Sequence, residues 1–163
     1  MRGDTLDIVV IGLGNPHRGD DAVGPEVANM LSQQDHPFLR VCTSMPDATS
    51  LLDCWQGADL CFVVDCSVSG SREGAVQRIN GLAGGIPERF LNSTSTHTLS
   101  VAQGLELGRV LDRLPHRLII YGIEGVQFSH GAPMSPAVRD AVDRVAAAII
   151  KEIEEITNEV AVE

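Results

Sequence analysis

The apolar run Ile8-Val9-Val10-Ile11 breaks at Gly12-Leu13-Gly14-Asn15, and that break leaves few folds open to this chain. A run of β-branched residues with no polar alternation reads as a strand buried on both faces, the kind found in parallel sheets. A tight turn follows, then Asp20-Asp21, then a helical stripe through Val23, Val27, Met30 and Leu31. The segment therefore reads as strand, turn and helix, with carboxylates delivered to the strand's carboxyl end. Open parallel sheets hold their ligands there. A dinucleotide-binding turn would place a third glycine three residues after the second, but that position is His17. The adjacent acids would also repel a pyrophosphate. A carboxylate at a helix N-terminus is favoured by the helix macrodipole, so capping competes with any ligand role for Asp20 and Asp21. On this reading one of the pair caps the helix.

The same alternation continues along the chain. Strands are expected over residues 6–13, 39–43, 59–66 and 117–122, with a weaker edge strand over 75–79. Helices are expected from Asp20 or Asp21 to Ser32, from an Asp47 cap through Trp55, over 98–111, and from Ser135-Pro136 toward Asn158. Residues 81–95, rich in Gly, Pro, Asn and Ser, read as a loop with at most a helical turn near 87–90. This order predicts an α/β fold: a single domain over residues 1–163, with a mostly parallel twisted sheet and helices on both faces.

Twelve basic against twenty-two acidic residues leave a net charge of −10. That balance opposes binding to nucleic acid or an anionic membrane and is compatible with a cation or a basic peptide. No apolar run approaches the ~20 residues of a membrane span. No secretory leader is apparent, so a cytoplasmic protein is expected, and a monomer is the simplest arrangement. Cys42, Cys54, Cys61 and Cys66 form no CxxC pair, which argues against a zinc knuckle. Cys61 and Cys66, in a strand pattern, read as buried free thiols.

Two further residues complete a candidate site. Asp65 follows four apolar residues where the strongest strand is expected to end, and would share a rim with the Asn15–Asp21 turn if the two strands are neighbours. His97 stands at the seam between a Ser/Thr-rich loop and the helix expected from 98, aimed at the same rim. Two carboxylates and an imidazole suit a borderline divalent cation such as zinc or nickel, and three ligands leave coordination positions open. His17, His36, His116 and His130 show no obvious partners and read as surface or loop residues.

In this order, the residues resemble the hydrogenase maturation proteases, which trim the C-terminal extension from the large subunit of nickel–iron hydrogenases. The likeness rests on Gly12-Leu13-Gly14-Asn15 with Asp20-Asp21, on Val63-Val64-Asp65, on His97 after its Ser/Thr-rich segment, on Gly122-Ile123-Glu124, and on Ser135-Pro136-Ala137-Val138. It spans nearly the whole chain. The chain departs from the family in two places: Asp47-Ala48-Thr49 stands where many members carry a Gly-Gly-Thr turn, and Asp21 stands where members often carry Glu.

The resemblance implies an endopeptidase whose partner is a hydrogenase large-subunit precursor. Its nickel is carried by that substrate, with zinc or cadmium able to stand in. The implied ligands and catalytic residues are Asp21, Asp65 and His97. Two routes of attack are open: a metal-polarised water with a carboxylate base, or a two-carboxylate mechanism. A metal-sensing assembly factor that does not cut is the alternative. Peptidyl-tRNA hydrolase shares the Gly-Leu-Gly-Asn-Pro turn, but the acidic balance and the run His17-Arg18-Gly19-Asp20-Asp21 oppose it.

Overall fold

The computed structural model describes residues 5–43, 47–84, 86 and 96–162, leaving out the side chains of 96–100 and 162. Five strands, β1 (Ile8–Gly12), β2 (Leu39–Cys42), β3 (Leu60–Ser67), β4 (Val76–Asn80) and β5 (Leu118–Glu124), form one sheet in the order β2-β1-β3-β5-β4. All neighbouring pairs are parallel except β4 with β5. The helices are α1 (Val23–Ser32), α2 (Ala48–Trp55), α3 (Thr96–Leu111) and α4 (Pro136–Val162), and a single 3-10 turn spans Gly19–Ala22. The expected α/β class and mostly parallel sheet are what the structure shows.

Successive strand residues face opposite sides of a sheet, so two apolar layers form. On one side Ile8, Val10, Phe62, Val64 and Ile123 pack against Val27 and Leu31 of α1 and Val142, Val145 and Ile149 of α4. On the other, Val9, Ile11, Cys61, Val63 and Ile120 pack against Leu51 and Trp55 of α2 and Val101 and Leu105 of α3. Trp55 is fully buried, and Gly104 of α3 gives its ring room: a Cβ there would stand 3.2 Å from the indole. The edge strand β4 is tied to α4 by Arg78, whose guanidinium makes two bonds to Glu152, at 2.8 and 2.7 Å. The Tyr121 hydroxyl donates to the same carboxylate.

Several expected boundaries move. Strands β3 and β5 run on to Ser67 and Glu124, because each continues the other's ladder through Asp65↔Gly122, Cys66↔Ile123 and Ser67↔Glu124. Asp65 therefore lies two residues inside its strand rather than at its end. The first helix begins at Val23, after the 3-10 turn, and neither acid caps it: its N-cap is Ala22, with no side-chain bond. Helix α3 begins at Thr96, which puts His97 in its first turn rather than at its seam, and α4 extends to Val162. Asp47 caps α2 as expected, accepting from Ser50 N at 2.9 Å and Ser50 Oγ at 2.6 Å. The expected turn near 87–90 lies outside the described residues. No helix among the described residues is long and apolar enough to cross a membrane.

Candidate functional site

From β1 the chain passes to β2 on one side, then returns through α2 to β3 on the other. The strand order thus reverses between β1 and β3; in doubly wound sheets the crevice that holds ligands lies at this point, outside the carboxyl ends of the two strands. The two strands stay joined to that point, since Leu13 N donates to Val64 O at 2.9 Å. The start of α1 sits directly over them. A Cβ on Gly24 would stand 2.1 Å from Leu13 O and 2.6 Å from Val64 O, so only glycine permits the approach.

Asp21 enters the crevice from the β1 side. Gly14 turns the chain with φ +134°, and a Cβ there would fall 1.9 Å from Asp21 O. The 3-10 turn brings Asp21 back so that its Oδ2 accepts from Asn15 N at 3.0 Å. Asp65 enters from β3, on the residue after Val64, and its Oδ1 accepts from Cys66 N at 2.8 Å. Both side chains are buried, 5% and 6% exposed. The two neighbouring strands thus carry the two expected acids to one crevice.

The third expected residue arrives on α3. That helix ends at Leu111, and β5 begins seven residues later at Leu118, so α3 runs back along the sheet. Its first turn, with His97, therefore stands at the carboxyl rim. The His97 side chain lies outside the described residues. Among the described residues no three His, Cys, Asp or Glu side chains gather as a metal cluster.

Two other buried carboxylates surround the crevice, and each is fully engaged in holding backbone. Asp20, 0% exposed, accepts from Val126 N (2.8 Å), Gln127 N (2.9 Å), Ser135 N (2.7 Å) and Ser135 Oγ (2.9 Å). Burial pushes its carboxyl up, but the bonds from Val126, Ser135 and Gln127 outweigh that and leave it below its ordinary value. It stands at the start of α4, so the macrodipole that favours it belongs to the last helix and not to α1. Glu124, 3% exposed, receives Ser67 Oγ, the Ser69 amide and hydroxyl, and the Gly70 amide at 2.8–3.2 Å. It pins the chain where it leaves β3, three residues beyond Asp65. In the sequence Glu124 stands out only as the last residue of Gly122-Ile123-Glu124, a single acid closing the apolar run from Leu118. Cys66 lies buried under these groups. Burial first, and then the fields of Asp65, Asp21, Asp20 and Glu124, push its thiol well up, so it remains protonated. The buried free thiols expected at Cys61 and Cys66 are observed.

His17 and His130, read as unpartnered, face each other with ring centroids 6.4 Å apart. A cavity of about 640 Å³ lies elsewhere, along α3 against Ile86, Ala102, Glu106 and Val110; neither crevice carboxylate lines it. We place the site in the crevice because that is where strand topology gathers buried charge.

The family model described as hydrogenase maturation protease matches residues 44–152, more than half of the chain. The chain belongs to that family. It is a maturation peptidase, and the alternative held by the shared Gly-Leu-Gly-Asn-Pro turn, a tRNA hydrolase, is set aside. The matched span contains Asp65 and His97 and begins after Asp21. No curated protein matches the sequence significantly. Among solved structures the protease resembles the hydrogenase maturating endopeptidase HybD from E. coli, with a TM-score of 0.82 at 21% identity over 92% of this chain and 93% of that one. It also resembles the [NiFe] hydrogenase maturation protease HybD from Thermococcus kodakarensis, with 0.74 at 22% over 91% and 99%. A third is the maturation protease HycI from the same organism, with 0.67 at 21% over 91% and 93%. At these identities the likeness is one of fold.

Proposed function

We propose that the protease removes the C-terminal extension from a nickel–iron hydrogenase large-subunit precursor once nickel is in place. On this reading it senses that nickel through Asp21, Asp65 and His97. The observation that carries the proposal is the delivery of two buried acids, from two adjacent strands, to the crevice where the strand order reverses. Buried carboxylates are costly unless they are paired, hydrogen-bonded or bound to a cation. Oxygen donors with one imidazole fit a divalent ion of borderline softness, nickel included, and zinc or cadmium by the same preference. The nickel is part of the substrate, so the crevice need only complete the coordination of an ion the precursor already holds.

Two roles follow for the side chains. The carboxylates orient the precursor by gripping its ion and so fix the nearby peptide bond against the rim. One of them is then placed to take the proton from an attacking water as general base. With an aspartate at position 21, the reach into the crevice comes from the 3-10 turn rather than from a longer side chain.

Purified protease incubated with nickel-loaded precursor should lower the precursor's mass by that of the extension, and nickel-free precursor should stay whole. Asp65→Asn and His97→Ala should abolish processing while the thermal transition survives. Cleavage at equal rates with and without nickel would refute the sensing role. Wild-type processing by either variant would refute the site. An intact protease–precursor complex with no mass change would replace proteolysis by assembly alone.

A further inference from the structure

We propose that Asp20 is a positioning residue for this reaction, acting on the substrate through Asp21 by fastening the turn that carries it. The inference rests on the assignment of Asp21 to the site. The turn from Asn15 to Asp21 is bonded along its length to residues 126–135, the segment that joins β5 to α4. His17 O accepts from Gly131 N at 2.7 Å, and Arg18 Nε donates to Phe128 O at 3.2 Å. The Asp20 amide donates to Gln127 O at 2.7 Å. Gly19, at φ +53°, passes so close that a Cβ would meet Gln127 O at 2.4 Å. The Asp20 carboxylate completes the joint with its four bonds, three of them from backbone amides that cannot turn away.

The geometry separates the two acids. A 3-10 turn has three residues per turn, so successive side chains point about 120° apart. With Asp20 buried in the joint, Asp21 is turned toward Asn15 and the crevice. If the joint loosens, the turn rotates and the Asp21 carboxylate moves with it. Asp20 reaches no substrate in this arrangement. Its effect appears in the chemical step, where placement within an ångström matters, and not in the docking of the precursor over a wide surface.

The test is steady-state and single-turnover processing of nickel-loaded precursor by Asp20→Asn, Ser135→Ala and Asp21→Asn, each shown folded by its thermal transition and by its binding stoichiometry with precursor. Asp20→Asn should lower kcat by about 100-fold with KM unchanged, the loss typical of a reacting group displaced by an ångström. Ser135→Ala keeps the three backbone donors and should lower kcat about tenfold, again at constant KM. It also serves alone if Asp20→Asn does not fold. Full kcat in the folded variants, or a rise in KM at constant kcat, would overturn the positioning role while Asp21→Asn remains inactive. Wild-type processing by Asp21→Asn would instead overturn the site on which the inference rests.

Discussion

Asp20 and Glu124 are both buried acids wrapped in donors, yet they should respond unequally to the same change, carboxylate to amide. At Asp20, Oδ2 receives Val126 N, Gln127 N and Ser135 Oγ, and Oδ1 receives Ser135 N. An asparagine amide must point its NH₂ at one or more of these backbone N–H groups. The better orientation keeps the three bonds at the Oδ2 position and leaves Ser135 N facing another donor. A buried donor so orphaned costs about 1–3 kcal/mol, and the retained bonds lose charge assistance worth roughly 1 kcal/mol together after relief of desolvation. The sum is about 3 kcal/mol, or roughly 9 °C in Tm for a domain of this size.

At Glu124, Oε1 receives Ser69 N and Gly70 N, while Oε2 faces the Ser67 and Ser69 hydroxyls and only a longer share of Ser69 N. A glutamine NH₂ at Oε2 meets hydroxyls that rotate and accept. Glu124→Gln should therefore cost about 1 kcal/mol, one net hydrogen bond's worth. Urea unfolding followed by the single tryptophan, fully buried Trp55, measures both. If Glu124→Gln costs as much as Asp20→Asn, donor rigidity is not what distinguishes the two sites.

Gly14→Ala would drive a methyl to 1.9 Å from Asp21 O at a φ that side chains avoid, so processing measured by product mass should fall even where a thermal melt shows the domain still folded. Burial pushes the Glu152 carboxyl up, but its bonds to Arg78 and Tyr121 outweigh this and hold it below the ordinary 4.5. A depressed folded value means that its stabilisation is present above pH 4.5 and lost as pH falls through the folded value. The Tm gap between wild type and Glu152→Gln should accordingly be full at pH 6 and narrow as pH falls below 4.5 through the folded value. Burial, then the bond with Cys54, pushes the Cys42 thiol up to about 12, and Cys61 lies deeper still. Iodoacetamide at neutral pH, followed by peptide mass mapping, should therefore leave Cys61 unmodified and Cys42 only slowly alkylated.

Much of the fold was legible because it rests on local signals. The β-branched run at Ile8–Ile11, the Asp47 cap and the Ser135-Pro136 helix start each show in a few adjacent residues, and each stands where it was read. Errors gathered where a neighbour decides. Asp65 looked like a strand end because a polar residue usually closes an apolar run, yet pairing with β5 carries β3 two residues further. Ser135 does stand at the N-cap position before Pro136, its carbonyl accepting from Arg139 N, but that its hydroxyl and amide both go to Asp20 is set by a residue more than a hundred positions away. Glu124 drew no role because its donors, Ser67 to Gly70, lie more than fifty positions upstream.

Residue order alone determined that strands would alternate with helices, that acids would gather toward the carboxyl ends of central strands, and that a Gly-x-Gly turn would precede the first pair. These follow from periodicity and turn chemistry, which act over a handful of bonds. Tertiary structure decided which acid does what. Asp20 and Asp21 are adjacent and alike in chemistry, and only the arrival of Val126, Gln127 and Ser135, over a hundred residues away, commits one to the framework and leaves the other facing the crevice. A hydrogen bond depends on distance in space, and no local pattern encodes a donor that the fold brings from the far end of the chain.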